Sequence, residues 1–449
     1  MILDVHLAPY PDPVARLRRT EGGLRLEATP GGPTISLSFG DARIAEGSVL
    51  EAFLSNLLAE RPEILGRQVR HVGCAPDDLL RLLAEGGQDR MGALVFRPSG
   101  APPPRLHGDP ADPSHYEEIA AEEIPLLLQD LRRHGGLPEG TPDPSPLGGL
   151  QPKTAVALRA GRLLRPAGAG LSPSTHVLKV SRARPAEAAR MEHLATDLAA
   201  RCGLPVVRTA LLAFGADGRS TNDPGHAAIA GILVERFDRR TGPDGGVERI
   251  HQEDAAQALG LHAREKYAHA EGLPADRRYG ARRLGRDLLP RLRDPARARL
   301  DLLRLVLFSL AVGNWDFHAK NLAVLHDGPA PRLAPFYDLD PVALDPDVSD
   351  RLAMPVGRAE RLDDLRPDDL EAFVSDLGET GDPAPLLAAG AETLRGVAAW
   401  AGQARGPGPK RLADLAARNL RRLEAVLGCD LGVPDRDLPA ARGGGWALD

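Results

Sequence analysis

Lysine is nearly missing from this chain. Only five of its 56 cationic residues are lysines (Lys153, Lys179, Lys266, Lys320 and Lys410), and arginine supplies the rest. Codon bias accounts for the scarcity itself, but each lysine that remains gains weight. A compact ammonium fits between phosphate oxygens where a wide planar guanidinium does not. Cysteine is equally sparse. Cys74, Cys202 and Cys429 lie far apart with no Cys-x-x-Cys, which excludes a disulfide framework or a cysteine-based zinc site and fits a reducing compartment. The 4% aromatic content argues against a stacking surface for single-stranded nucleic acid. No run approaches 18 apolar residues, and Met1 to Arg19 lacks the apolar core of a signal peptide, so no membrane partner and a cytoplasmic location are expected. A net charge of −6 gives no general attraction to DNA or lipid headgroups. The arginine-rich stretch Arg277 to Arg304 reads as a solvated helix face.

What is present is ordinary globular material: 449 residues, 43% hydrophobic and 26% charged, enough for two or three domains. Residues 1–98 mix short strands (Leu24 to Glu27, Thr34 to Leu37, Ala93 to Phe96) with helical spacing over Val49 to Leu58 and Pro76 to Glu85, a small α+β domain. Residues 99–146, rich in Pro, Gly and Asp with one amphipathic helix near Glu117 to Arg133, read as linker and cover. Over 147–245, strands at Thr154 to Leu158, His176 to Val180 and Ile229 to Phe237 flank a helix, Ala186 to Arg201, stopped by Gly203. Residues 246–449 are mainly helical, with apolar stripes over Leu300 to Val312, Pro346 to Ala389 and Leu412 to Leu427. The expected architecture is α+β: the small domain, then a bilobal protein-kinase-like fold with a mostly helical C-lobe.

The chemistry concentrates in Gly313-Asn314-Trp315-Asp316-Phe317-His318-Ala319-Lys320-Asn321, followed by Tyr337-Asp338. Protein-kinase catalytic loops use this arithmetic: an Asp for the acceptor hydroxyl, an Asn five residues on for magnesium, and a later Asp for the second metal contact. A hairpin between Leu322 and Tyr337, turning at His326-Asp327-Gly328-Pro329, would return Asp338 to Asn321. Alone, an Asp-x-x-x-x-Asn also arises by chance, and Asp338 could simply start a turn. Gly148-Gly149-Leu150-Gln151-Pro152-Lys153 is a glycine turn that could bring backbone N–H groups to phosphate oxygens, but it is neither a Walker A nor a G-x-G-x-x-G. Lys179 sits inside an apolar strand and calls for a partner, Glu192 being preferred over Glu187 on the next helix. Glu235-Arg236-Phe237 closes a strand and suits an adenine hinge, although on spacing alone a core Phe with a flanking salt bridge describes it better.

In this order the segments resemble the HipA-like serine/threonine kinase family, toxins of bacterial type II toxin–antitoxin pairs. The resemblance runs over Leu147 to Thr154, Thr175 to Lys179, Val234 to Arg239, Gln252-Glu253-Asp254, Gly313 to Asn321 and Leu333 to Asp338, and Ala52 to Leu94 looks like the family's amino-terminal domain. It implies ATP and Mg²⁺ as cofactors. Gly148, Gly149, Leu150, Gln151, Lys153 and Lys179 would face the phosphates, and Glu235, Arg236 and Phe237 the adenine. Asp316 would be the catalytic Asp and Lys320 would neutralise the transferred group. Asn321 and Asp338 would bind the metal, with His318 packed beneath the loop and Tyr337 beside the nucleotide. It also implies a protein substrate in translation, such as an aminoacyl-tRNA synthetase, a small helix-turn-helix antitoxin of HipB type as partner, and DNA only through that antitoxin. Members often carry an autophosphorylated serine before the glycine loop; here Pro146 holds that position and Ser145 fits only with an insertion. A kinase-fold enzyme acting on a small molecule or lipid, and a catalytically silent co-repressor, are the competing classes.

Overall fold

A computed structural model describes residues 1–104, 108–109, 112, 114–138, 145, 147, 149, 151–167, 172–182, 186–221 and 227–436. The chain divides into two compact units. The first comprises residues 1–189, 210–263 and 323–328; the second comprises 190–209, 264–322 and 329–449.

The first unit opens with an antiparallel sheet of five strands, β1 (Ile2–Leu7), β2 (Ala15–Thr20), β3 (Gly23–Ala28), β4 (Ile44–Glu46) and β5 (Leu94–Pro98), in the order β4-β3-β2-β1-β5. The alternation is plain in β2, where Ala15 and Leu17 are buried and Arg16 points out. Helices α1 (Gly47–Ser55), α2 (Pro62–Val72) and α3 (Leu79–Glu85) cover the apolar face, giving a core of Leu3, Val5, Leu26, Phe53, Leu82 and Phe96. Thr34 to Leu37, expected as a strand, is not one. Ser36 caps a short turn over Leu37–Phe39, with its Oγ bound to Glu253 Oε2 at 2.6 Å and the Leu37 N–H to Oε1 at 2.8 Å. A buried carboxylate far along the chain overrides the local alternation.

A second sheet, in the order β10-β11-β9-β7-β8-β6, follows. It contains β6 (Tyr116–Glu118), β7 (Lys153–Arg159), β8 (Arg162–Pro166), β9 (His176–Lys179), β10 (Thr209–Phe214) and β11 (Ile229–Glu235). Ala160 and Gly161, both at positive φ (47° and 76°), make the two-residue turn that matches the strand twist between β7 and β8. Helix α4 (Ile124–His134) packs Leu128 and Leu131 against Val156, Leu178 and Leu233. Gly231 permits this contact, since a Cβ there would lie 2.5 Å from Leu128 Cδ2. The segment read as linker and cover thus contributes both a strand and a core helix. Two smaller antiparallel pairs, β12 (Arg239–Thr241) with β13 (Val247–Arg249) and β14 (Gln252–Asp254) with β15 (Ala323–Leu325), and the short α6 (Ala255–Ala258) complete the unit.

Most of α5 (Glu187–Arg201) belongs to the second unit, with α7 (Ala281–Arg283), α8 (Pro295–Val312), β16 (Arg332–Leu333), α9 (Pro367–Asp376), α10 (Ala384–Gln403) and α11 (Pro407–Leu427). Asp294 caps α8, its Oδ1 accepting from the Arg297 N–H at 3.0 Å. α8 is buried on nearly every side, with α10 and α11 among its neighbours. Gly390 of α10 admits the Leu307 side chain of α8, which a Cβ would strike. Two expectations are corrected. Arg277 to Arg304 is not one solvated face: short turns precede α8, and Arg282 and Arg297 pair with Asp376 (3.0 Å) and Asp301 (2.8 Å). Residues 346–366 are turns rather than helix, because Gly357 needs φ +59° and its Cα approaches Asp369 too closely for any side chain.

Candidate active site

Helix α8 delivers the catalytic-loop sequence. It ends at Gly313 in the left-handed conformation (φ 76°), whose N–H returns to Ser309 O. Its last carbonyls, on Leu310 and Ala311, accept from buried Asn419 Nδ2 at 3.1 and 3.2 Å. Beyond Gly313 the loop closes on one atom: the Asp316 carbonyl accepts from the His318 N–H and from Asn321 Nδ2, both at 2.9 Å. The Ala319 N–H donates to Lys266 O at 3.0 Å, and the Ala353 N–H to Trp315 O at 2.9 Å. Asn314, Phe317, His318 and Asn321 are buried, whereas Asp316 and Lys320 keep partial exposure. The His318 ring stands edge-on to Tyr267, 5.2 Å between centroids, which fits a packing role beneath the loop.

Asp338 is placed by its neighbours. Phe336, 1% exposed, exchanges backbone hydrogen bonds with Pro205 O (2.7 Å) and the Val207 N–H (2.9 Å). The Tyr337 hydroxyl donates to Lys320 O at 2.7 Å, so residues adjacent to Asn321 and Asp338 are tied directly together. Asp338 itself adopts φ +61°, an unfavourable conformation for a non-glycine residue and one that gathers at functional sites. Because Nδ2 of Asn321 is spent on the loop, its Oδ1 is the atom left to accept a metal. That oxygen and the Asp338 carboxylate are hard-oxygen donors of the type that could hold magnesium.

In the first unit, β9 and β7 set Lys179 directly opposite Lys153, and Ile232 faces Lys179 from β11. Opposed residues share a face, so two of the chain's five lysines lie on one side of the sheet. Lys179 is 7% exposed. Lys153 Nζ folds beneath Gly149, where a Cβ would sit 2.5 Å from it, and the Gly149 N–H donates to Glu60 Oε2 at 3.2 Å. Gln151 is half-buried nearby, while Gly148 and Leu150 lie outside the described residues, as does Pro146. Glu235 stands opposite His176, and Phe237 is half-buried.

Arg236 is the flanking salt bridge of this strand end. Its N–H donates to Thr175 O at 2.9 Å and its guanidinium is buried against Asp238 (2.8 and 3.0 Å), Ser174 Oγ (3.0 Å) and Arg90 O (2.8 Å). It belongs to a buried ionic cluster in which Asp238 also meets the Gly92 N–H (2.6 Å) and Arg239 (3.0 Å). There Asp89 accepts from Arg239 (2.9 Å), the Ser174 N–H (3.1 Å) and Ser145 Oγ (2.7 Å). Burial pushes the Asp238 carboxyl up, but Arg236 and Arg239 outweigh it and hold the group below the usual carboxylate range. Ser145 is therefore an interior hydrogen-bond donor, 3% exposed. Sequence reasoning assigned no role to Lys266, whose carbonyl anchors the loop and whose buried Nζ lies 5.4 Å from the Tyr267 ring centroid. The rarity of lysine was the available signal.

The HipA-like C-terminal domain matches residues 145–400, and the HipA N-terminal domain matches residues 3–97. The chain belongs to the HipA family. Among the relatives of this HipA-family chain, the putative kinase Y4mE of Sinorhizobium fredii is 32% identical over 73% of this chain and 72% of its own. The serine/threonine-protein kinase toxin HipA of Shewanella oneidensis is 28% identical over 73% and 71%. The solved HipA of S. oneidensis MR-1, in complex with HipB and operator DNA, superposes with a TM-score of 0.75 at 25% identity, covering 95% of this chain and 98% of that one. The mixed helix-and-sheet fold of a HipA kinase is thereby established. Among the described residues, no helix is long and apolar enough to cross a membrane.

Proposed function

We propose that this HipA-family chain is an ATP- and Mg²⁺-dependent protein serine/threonine kinase of the toxin type, acting in the cytoplasm and slowing growth by phosphorylating a translation component, with aminoacyl-tRNA synthetases as the candidate substrate class. The observation that supports the reading is the loop closure at Asp316 O, which engages Asn321 Nδ2 and holds the half-buried Asp316 in the same tight turn. The second unit supplies the acid–base and metal groups. Asp316 accepts the proton of the acceptor hydroxyl as its oxygen attacks the γ-phosphorus, and the bond to the departing ADP oxygen breaks. Lys320 offsets charge on the transferred group. Asn321 Oδ1 and Asp338 would hold the magnesium, which supplies charge neutralisation between the phosphates. Lys153 and Lys179, with the Gly149 and Gln151 backbone, would contact the phosphates, and Glu235 and Phe237 the adenine.

The likeness to a HipA solved with HipB and operator DNA supports a HipB-type antitoxin as partner, with DNA reached through it. Wild type and Asp316→Ala should be compared on induced expression, with phosphoproteomics after a short pulse. Growth arrest and new phosphoserine or phosphothreonine with wild type alone are expected. Equal arrest by the variant would refute the kinase-toxin reading.

A further inference from the structure

Helix α4 presents Leu126, Gln129 and Arg133 to solvent along one stripe, at spacings of three and four residues. Leu126, 59% exposed, is one of few large apolar side chains left uncovered. Together with Pro125, Arg132, Arg182, the Gly215–Arg219 turn and Ile229, this stripe bounds a cavity of about 1110 Å³ within the first unit. Its charge is lopsided, four arginines against Glu122 and Asp217. Arg219 has Asp217 at 3.9 Å, but among the described residues Arg132, Arg133 and Arg182 have no carboxylate within 4.0 Å.

A second observation points the same way. Arg61, 6% exposed, donates through Nη1 to Gly135 O at the end of α4 and has Glu63 3.8 Å from Nε, yet its buried Nη2 has no hydrogen-bond partner. A Cβ on Gly135 would strike both this Nη2 and Nη2 of Arg182, so two guanidiniums converge on one spot. Burial first, and then the nearby Arg182, pulls the Arg61 guanidinium below its ordinary value. Like charges held together against an apolar wall are relieved by an anion with fork-matching oxygens, which a carboxylate supplies.

We propose that this cavity docks an acidic peptide segment of a partner protein. The segment's carboxylates would pair with Arg132, Arg133 and Arg182, and an apolar side chain would rest on Pro125 and Leu126. Short peptide rather than nucleic acid is favoured because the site is a bounded concavity with an apolar wall. A continuous phosphate backbone would also run against Glu122 and Asp217 on a chain of net charge −6. The inference does not depend on phosphotransfer.

Fluorescence anisotropy on the full chain tests it, using a labelled peptide of about twelve residues, rich in Asp and Glu around a single Leu. Wild type should bind, and Arg132→Glu/Arg133→Glu/Arg182→Glu should weaken binding by about 30-fold or more. Arg240→Glu, a distant exposed site, should change nothing. Replacing the peptide's Leu with Ser should weaken binding several-fold. The thermal midpoint checks folding of the triple variant, and the milder Arg132→Gln/Arg133→Gln pair must weaken binding in the same direction. No binding by wild type, equal binding by the folded variants, or a DNA oligonucleotide of similar length displacing the peptide more tightly than unlabelled peptide does would each overturn the proposal.

Discussion

Removing Asp89 should unfold the first unit more readily than any other single carboxylate deletion. Asp89 is 0% exposed and accepts from Arg239, the Ser174 N–H and Ser145 Oγ, with Arg236 and Arg249 at 3.5 and 3.7 Å. Four buried arginines, Arg90, Arg236, Arg239 and Arg249, surround two buried carboxylates, Asp89 and Asp238, so the cluster already carries excess positive charge. Asp89→Ala raises that excess from two charges to three and strands at least one guanidinium, the situation in which breaking a buried pair costs about 3–5 kcal/mol. That is a large share of the roughly 5–15 kcal/mol that holds a domain together. Ser145→Ala, which removes one donor to the carboxylate, should cost about 1 kcal/mol. In the Asp89→Ala background the Ser145→Ala cost should vanish, because the two share one hydrogen bond. Urea unfolding of the four proteins, followed by circular dichroism, reads both quantities. A loss under about 1 kcal/mol for Asp89→Ala, or a Ser145→Ala cost unchanged by it, would refute the account of the cluster.

Three further outcomes are expected. Asn321→Ala removes both the loop closure and a proposed metal oxygen, so phosphotransfer should fall about 100-fold or more. Half-saturation should also move to higher magnesium; an unchanged magnesium titration would remove Asn321 from the metal site. Gly231→Ala drives a Cβ to 2.5 Å from Leu128 Cδ2 and 3.2 Å from Lys179 O, a core overpacking worth about 1–3 kcal/mol, and Leu128→Ala in the same chain should recover part of the loss if α4 is the obstacle. Burial pushes His176 down to about 4 and His251 to about 3. Between these values and the ordinary histidine range the unfolded chain binds more protons than the folded one, so stability falls as the pH drops from about 6.5 toward 4. His176→Gln should flatten that slope; an unaltered slope would show that His176 is not buried neutral.

The catalytic-loop shape was legible from the lettering because its bonds are short in sequence. Asn321 reaches Asp316 over five residues, and the glycine that ends α8 announces itself. The same holds for β3, for α8, and for the strands bearing Lys153 and Lys179, where each pattern answers to one buried face. The Lys153–Lys179 opposition was not legible, since register across β7 and β9 is a pairing choice that neither strand contains. The partners of Arg236 were not legible either, since Asp89 lies 147 residues away along the chain. Thr34 to Leu37 failed alike, because Glu253 supplied a better partner for Ser36 than a neighbouring strand would have. By itself the order of residues indicated most of the helices and strands and set the Asp316-to-Asn321 spacing, since periodicity and spacing are local. Only the tertiary structure decided which buried charges meet, how Tyr337 ties its segment to Lys320, and where unpaired arginines gather. Electrostatic satisfaction in a low-dielectric interior is settled between residues far apart along the chain.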